Sequence, residues 1–211
     1  MTRVAAFLAA VAAVACPAAG APVPAGLEGP THYYPMRVGD RMTYQFPHGE
    51  VEHVVTAVEK KGDARVVTVW GTDGGGRYAP VMAVEVSGKG LVLVKQAVVR
   101  NVPDGTDGQK PEDWLEDRAP VALLKLPPVA GQKWDAAVTP TLKASFVTGK
   151  EEVVKVPAGA FRAVPVDLHL DLPGGARPPF RLWFVRGVGP VKFESPGEEP
   201  AVLKAFSAAK D

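Results

Sequence analysis

The chain has 211 residues, with 24 basic and 23 acidic side chains and a formal net charge of +1. Because the charges nearly balance, the protein has no excess of basic residues to attract nucleic acid or an anionic membrane surface. We therefore expect neither class of partner. The single cysteine argues against a disulfide-stapled fold. Valine dominates the apolar residues, and 22 glycines and 21 prolines supply turns, a combination that favours an all-β fold.

Residues 1–20 have the pattern of a secretory signal peptide. Arg3 is the charged residue, an apolar run extends from Val4 to Ala15, and small residues follow Pro17. The run is about a dozen residues long, whereas a helix that crosses a bilayer needs roughly 20. We therefore predict cleavage after Gly20 or Ala21, export to the periplasm or the extracellular space, and no transmembrane segment in the mature chain.

Cys16 lies inside this leader and leaves an alternative open. The residues that end at Cys16 loosely resemble the lipobox at which bacterial lipoproteins are cut and acylated, so Cys16 is a candidate lipid attachment site. The leucine favoured three residues before the cysteine is missing, and Pro17 follows it. We therefore favour a cysteine that is removed with the leader. The alternative is a lipoprotein anchored to the membrane through Cys16.

The mature chain reads as a flexible tether over residues 21–31 and a single β domain over residues 32–211. Period-two patterning between turn residues predicts short strands throughout the domain. The predicted strands are Met42–Phe46, Val51–Val58, Arg65–Trp70, Tyr78–Val86, Leu91–Lys95, Val121–Leu126, Trp134–Val138, Leu142–Thr148, Glu151–Val156, Phe161–Leu172, Phe180–Val185, Val191–Phe193 and Val202–Phe206. Sequential antiparallel neighbours give a meander, which must curl or close to protect its edges.

The most decisive stretch is Leu182–Glu194, which predicts a β-hairpin. Apolar residues flank a glycine-rich turn, and glycine adopts a positive φ at little cost. Two parts of the chain also resemble each other. Pro35–Met42 and Pro127–Trp134 each place a proline four residues before a glycine, followed by a polar residue, a base and a large apolar residue. We interpret this likeness as a degenerate duplication.

Three stretches together resemble one family of bacterial proteins. They are Tyr33–Tyr44, Lys155–Ala163 and Trp183–Lys192. These stretches are similar to the recurrent phrases of the DUF3108-like exported proteins and lipoproteins, over the chain from about Tyr33 to its end. Met42 stands where the family usually has tryptophan. The resemblance implies an antiparallel sheet curved into a half-open barrel, with no established activity and no catalytic residues.

No arrangement of reactive side chains predicts an enzyme. The four histidines, His32, His48, His53 and His169, lack the close spacing of a zinc site, although His48 and His53 could converge with a carboxylate. Asp104–Gly108 lacks the further oxygen ligands of a calcium loop. Ser87 lacks the preceding glycine of a nucleophile elbow. We therefore expect no catalytic residue, metal or cofactor.

The aromatic residues allow one functional reading beside a structural one. Most lie on predicted strands, where filling the core is the ordinary explanation. A curved sheet without a long covering helix would leave an apolar groove, which predicts binding of a lipid or apolar small molecule. The alternative is an envelope protein that assembles with another protein through its sheet edges or the 103–118 loop. A hydrolase is the remaining alternative.

Overall fold

The computed structural model describes residues 32–72, 78–97, 119–139, 142–171 and 179–210. These residues contain thirteen β-strands and no helix, which confirms the all-β prediction. The strands are β1 (Arg41–Phe46), β2 (Gly49–Lys61), β3 (Ala64–Thr72), β4 (Tyr78–Ser87), β5 (Gly90–Gln96), β6 (Val121–Lys125), β7 (Lys133–Ala137), β8 (Lys143–Thr148), β9 (Glu152–Val156), β10 (Gly159–Asp171), β11 (Phe180–Val185), β12 (Gly189–Glu194) and β13 (Ala201–Ser207).

The strands form one antiparallel sheet that curls into a nearly closed barrel. Its order is β6-β5-β4-β3-β2-β1-β13-β12-β11-β10-β8-β7, and β9 pairs with the first part of β10. The first strand pairs with the last, so the meander joins its own two ends through β1 and β13. The two ends of this strand order, β6 and β7, lie beside each other across an open seam.

Short β-branched side chains form much of the barrel interior. Valines on the central strands are completely buried, because alternate residues of a strand point to the same face. The fully buried members are Val55, Val67, Val69, Val84, Val166 and Val191. Larger residues such as Tyr34, Met42, Phe146 and Phe184 fill the remaining volume. The predicted Leu182–Glu194 hairpin is also present, as β11 and β12.

The turn before β1 is held by three backbone hydrogen bonds. Gly39 has a φ of +95°, and its N–H donates to the carbonyl oxygen of Val55 over 2.8 Å. The N–H of Asp40 donates to Arg37 O over 3.0 Å, and that of Val55 donates to Asp40 O over 2.9 Å. The positive φ explains why the sequence needs glycine here.

The turn before β7 repeats this arrangement. Gly131 has a φ of +82°, and its N–H donates to Thr148 O over 2.7 Å. The N–H of Gln132 donates to Val129 O over 3.0 Å, and that of Thr148 donates to Gln132 O over 2.9 Å. The two segments that resemble each other in sequence therefore have the same hydrogen-bonded geometry, as a duplication would produce.

The segment before β1 packs against the β11–β12 turn. Gly187 N–H donates to His32 O over 2.7 Å, and Arg186 Nε donates to the Tyr33 hydroxyl over 3.1 Å. A Cβ added to Gly189 would lie 3.4 Å from Cδ of Pro35, so the two segments approach closely. Two of the three stretches that carry the family resemblance thus meet in space.

Candidate functional site

Within the part of the chain that the structure describes, the side chain of Trp134 bridges the seam between the two edge strands. The indole Nε1 of Trp134 on β7 donates a hydrogen bond of 2.8 Å to the carbonyl oxygen of Ala122 on β6. The Lys125 ammonium group lies 5.6 Å from the centre of the same ring, within the range of a cation–π contact. Within the described residues no backbone ladder joins β6 to β7. The contacts of the Trp134 side chain therefore hold β6 and β7 beside each other.

Packing inside the barrel fixes the orientation of Trp134. Its ring stacks on Phe146 of β8, with ring centres 5.3 Å apart and an interplanar angle of 1°. Trp134 and Phe146 are directly opposite each other in the β7–β8 ladder, so the strand register itself creates this stack. Trp134 is 7% exposed. A stacked and buried indole has little rotational freedom, which holds its N–H against β6.

An apolar cavity of about 210 Å³ lies behind the seam. Its walls come from β5 and β6 on one side and from β8, β10 and the β7–β8 turn on the other. Representative lining residues are Leu93, Leu123, Val138, Phe146, Leu168 and Leu170. These side chains leave the space unfilled at the point where the described strands β6 and β7 are not joined by a backbone ladder. This half-open cavity at the seam is the candidate for the predicted apolar groove.

Two polar residues distinguish one part of the cavity wall. Lys95 and Gln96 line the cavity beside aliphatic side chains, and they lie at the end of β5. Lys95 is exposed, whereas Gln96 is half-buried. Lysine side chains bury their methylene stems along apolar surface while keeping the ammonium group in water. The arrangement gives the cavity an apolar interior and a cationic margin.

Two buried polar atoms near the seam lack a partner. They are Oε1 of Gln132 and Oγ1 of Thr148. Thr148 is 1% exposed and lies two residues beyond Phe146 on the same strand. The equivalent residue of Gln132 in the other half is Asp40, whose Oδ1 accepts a hydrogen bond of 2.9 Å from Ala209 N–H. The polar pair therefore keeps hydrogen-bonding capacity unused inside the barrel.

His48 and His53, which could have converged with a carboxylate, point to different surroundings. His48 lies exposed in the β1–β2 turn, whereas His53 on β2 is half-buried against Tyr44, with ring centres 5.2 Å apart. Burial lowers the pKa of His53 to about 4, because an apolar environment disfavours the imidazolium ion. The same cause raises the pKa of Tyr44 well above its ordinary value. These are uncharged groups in the barrel interior.

The described residues contain no group of three or more histidine, cysteine, aspartate or glutamate side chains that could hold a metal ion. Cys16, Asp104–Gly108 and the 103–118 loop lie outside the described part of the chain. In that same part, no helix has the length and apolar character needed to cross a membrane. His32 and His169 take part in no such cluster among the described residues.

The aromatic residues divide between the interior and the outer surface. Trp183 is buried on the outer face, where its indole Nε1 donates to Glu152 over 2.6 Å. Lys192 and Arg181 lie over its ring at 4.6 and 5.7 Å from its centre. The indole of Trp183 thus has a hydrogen-bond acceptor and two cationic neighbours within this cluster. Tyr78, by contrast, is 45% exposed and bonds to Glu52.

A scan against protein-family models finds no match, and a search of curated proteins finds none either. The DUF3108-like resemblance therefore stays a prediction.

Two solved structures are similar to this chain. One is a protein of Bacteroides fragilis, assigned as exported, with a YmcC-like fold. It has 14% identity and a TM-score of 0.47, and the alignment covers 83% of this chain and 99% of that one. The other is a protein of Parabacteroides distasonis assigned as a lipoprotein. It has 13% identity and a TM-score of 0.44, covering 84% and 99%.

Sequence reasoning anticipated an apolar site but not its position. The residues that line the cavity come from five separate segments, and each has the ordinary pattern of a core strand. Only Trp134 gave a local signal, because it occupies the place that Met42 has in the other half. Nothing in the sequence places the β6 and β7 edges beside each other, since that depends on how far the whole sheet curls.

Proposed function

We propose that this protein is an exported, non-enzymatic binding protein of the cell envelope that holds an apolar chain in its seam cavity. One observation carries the proposal: an aliphatic cavity of about 210 Å³ opens beside the β6–β7 seam, where the described barrel has no backbone ladder. Well-packed protein interiors rarely leave voids larger than a water molecule. An apolar void of this size attracts apolar ligands, because it is poorly hydrated.

The chemistry of the wall supports an amphiphile with an apolar chain and a polar or anionic head. Aliphatic side chains such as Leu168 and Leu170 offer dispersion contacts and no hydrogen-bonding groups. The polar head of such a molecule would lie at the margin of the cavity, where the wall includes Lys95 and Gln96. A fatty acid is the simplest molecule with both properties. The signal-peptide pattern of residues 1–20 places such a protein in a compartment that contains lipid.

Displacement of a fluorescent probe tests this proposal. N-phenyl-1-naphthylamine is uncharged, and its emission rises in apolar sites, so palmitate that enters the cavity should displace it. Replacing Leu168 with tryptophan fills the cavity, and we expect an affinity for palmitate at least about tenfold lower, since close-packed space cannot hold both groups.

The matched control is Leu182→Trp. Leu182 is also a half-buried leucine that packs against the core, but it lies on β11 and does not line the cavity. We expect palmitate to bind this variant as it binds the parent protein. Equal binding by both variants, or an absence of saturable binding by the parent protein, would contradict the proposal.

A further inference from the structure

The order of the strands has an approximate twofold symmetry. This symmetry predicts that the edge strands β6 and β7 would pair with each other. On one side of the β1–β13 junction the sheet continues through β2, β3, β4, β5 and β6. On the other side it continues through β12, β11, β10, β8 and β7. In this repeat, β1 begins the first half and pairs with β13, which ends the second half. By the same relation, β7 begins the second half and β6 ends the first. The β6–β7 seam is thus the counterpart of the β1–β13 pairing.

The two halves align residue by residue at the seam. Met42 of β1 corresponds to Trp134 of β7, because both lie three residues after the positive-φ glycine of equivalent turns. Gly90 and Gly189 are equivalent at the starts of β5 and β12, but β12 has a bulge at Val191, so the outward-facing Lys192 corresponds to Val92. Their partners, Val202 of β13 and Ala122 of β6, are then equivalent as well.

The β1–β13 register therefore predicts which residues would face each other if the seam closed. In β1–β13, Met42 faces Phe206 and Tyr44 faces Leu203. Counted from Ala122, the counterpart of Phe206 is Leu126 and that of Leu203 is Leu123. Trp134 should then face Leu126, which is next to Lys125, and the Lys125 Nζ lies 5.6 Å from the Trp134 ring centre. Ala136 should likewise face Leu123.

We infer that β6 and β7 form a lateral gate to the cavity and that Trp134 is its latch. This inference rests on the proposed function. The indole N–H of Trp134 donates to the Ala122 carbonyl oxygen on the unpaired edge strand β6. This hydrogen bond holds β6 and β7 in position without a backbone ladder. Every other neighbouring pair in the sheet has a ladder of at least two residue pairs. The seam is consequently the junction whose opening breaks the fewest hydrogen bonds.

The size of the cavity explains why a gate is needed. Its volume of about 210 Å³ is below the roughly 300–1,000 Å³ of typical ligand sites. A long acyl chain requires more space, and the seam is where the wall widens at the lowest cost. Because the opening runs along the barrel side, the chain enters sideways while its head group stays in water at the margin of the cavity. The preferred ligand is therefore a single-chain amphiphile.

A reversible cross-link tests the gate. The variant Leu123→Cys/Ala136→Cys, in the full chain carrying Cys16→Ser, should form a disulfide on oxidation, because facing residues of a closed ladder lie within bonding distance. We expect the oxidised variant to take up palmitate at least tenfold more slowly than the same variant after reduction. The control pair Ala57→Cys/Thr68→Cys cross-links two strands that are already paired, and should leave the rate unchanged.

Each result decides the inference. Slow uptake that reduction reverses supports the gate, whereas an oxidised variant that takes up palmitate at the rate of the reduced variant overturns it and leaves the proposed function standing. A failure to form the disulfide, while the control pair forms one, overturns the register and the gate. An absence of palmitate binding by the parent protein overturns the proposed function, and the gate with it.

Substitution of the latch provides an independent measurement should the cysteine variant fail to fold. Trp134→Phe keeps an aromatic ring on Phe146 but removes the donor to Ala122. We expect palmitate uptake to become about fivefold faster, the size of effect that one lost hydrogen bond produces. Trp183→Phe is the control, since it removes an indole hydrogen bond to Glu152 outside the seam. Equal rates in both variants would overturn the role of Trp134.

Discussion

The hydroxyl of Tyr44 on β1 donates a hydrogen bond of 2.8 Å to the carbonyl oxygen of Pro190 on β12. These residues are 146 positions apart in the chain and belong to two of the stretches that carry the family resemblance. The bond spans β13, which lies between the two strands in the sheet. It therefore ties the first half of the barrel to the second beside the junction that closes the meander.

Removing the Tyr44 hydroxyl should weaken the fold. We expect Tyr44→Phe to lower the free energy of unfolding by about 1–2 kcal/mol, because Pro190 O loses its buried donor while the ring keeps its packing. Chemical denaturation measures the change. Tyr78→Phe is the control: its exposed hydroxyl bonds to Glu52 on the outer surface, and we expect a change within about 0.5 kcal/mol.

Half-buried His53 should make the fold sensitive to acid. Its pKa is about 4 in the folded protein, below the ordinary value of 6.5 that applies to the unfolded chain. Above pH 6.5 both states are neutral and the residue contributes no pH dependence. As the pH falls from 6.5 towards 4, the unfolded chain binds a proton and the folded protein does not. The free energy of unfolding therefore decreases in this window, by up to about 3 kcal/mol.

The variant His53→Phe isolates this contribution. Its carboxylates titrate as in the parent protein, so the difference between the two stability profiles reports the imidazole alone. We expect the two profiles to run in parallel above pH 7 and to diverge between pH 6.5 and 4, with the variant losing less stability. Profiles that stay parallel throughout would mean that the pKa of His53 is the same in the folded protein and in the unfolded chain.

Gly90 should be irreplaceable at the β4–β5 turn. Its φ is +145°, and a Cβ at this position would lie 2.0 Å from the carbonyl oxygen of Leu124 on β6. We expect Gly90→Ala to lower the free energy of unfolding by about 2–4 kcal/mol, because backbone cannot move aside as a flexible side chain can. Gly88→Ala in the same turn meets no atom within 4 Å and should change stability by less than about 0.5 kcal/mol.

Mass measurement of the mature protein separates the two predictions for its N-terminus. Signal-peptide cleavage after Gly20 or Ala21 removes Cys16, so we expect an unmodified chain in the periplasm or the culture medium. Cys16→Ser should then leave the mature mass and the location unchanged. A chain that begins at an acylated Cys16, and that loses its membrane attachment in Cys16→Ser, would instead establish the lipoprotein alternative.

Local patterns in the sequence were enough to predict the fold class and the turns. Alternating valines and glycine-rich turns predicted all thirteen strands, although β2 is longer than its predicted segment Val51–Val58 by several residues. The likeness between the turns at Gly39 and Gly131 predicted a repeated unit, and both have the same three hydrogen bonds. Such features depend on a residue and its near neighbours, which is why one sequence reveals them.

The position of the candidate site could not be predicted from the sequence, because it depends on the tertiary structure. Leu93, Phe146 and Leu168 have the pattern of ordinary core residues, and only the curl of the sheet leaves space between them. Whether β6 and β7 meet depends on strand twist accumulated around the barrel, which no short segment encodes. The sequence thus determined the strands, their turns and the leader, because these follow from local conformational preference. The tertiary structure decided the seam, the Trp134 latch and the cavity, because each requires residues that lie far apart in the chain.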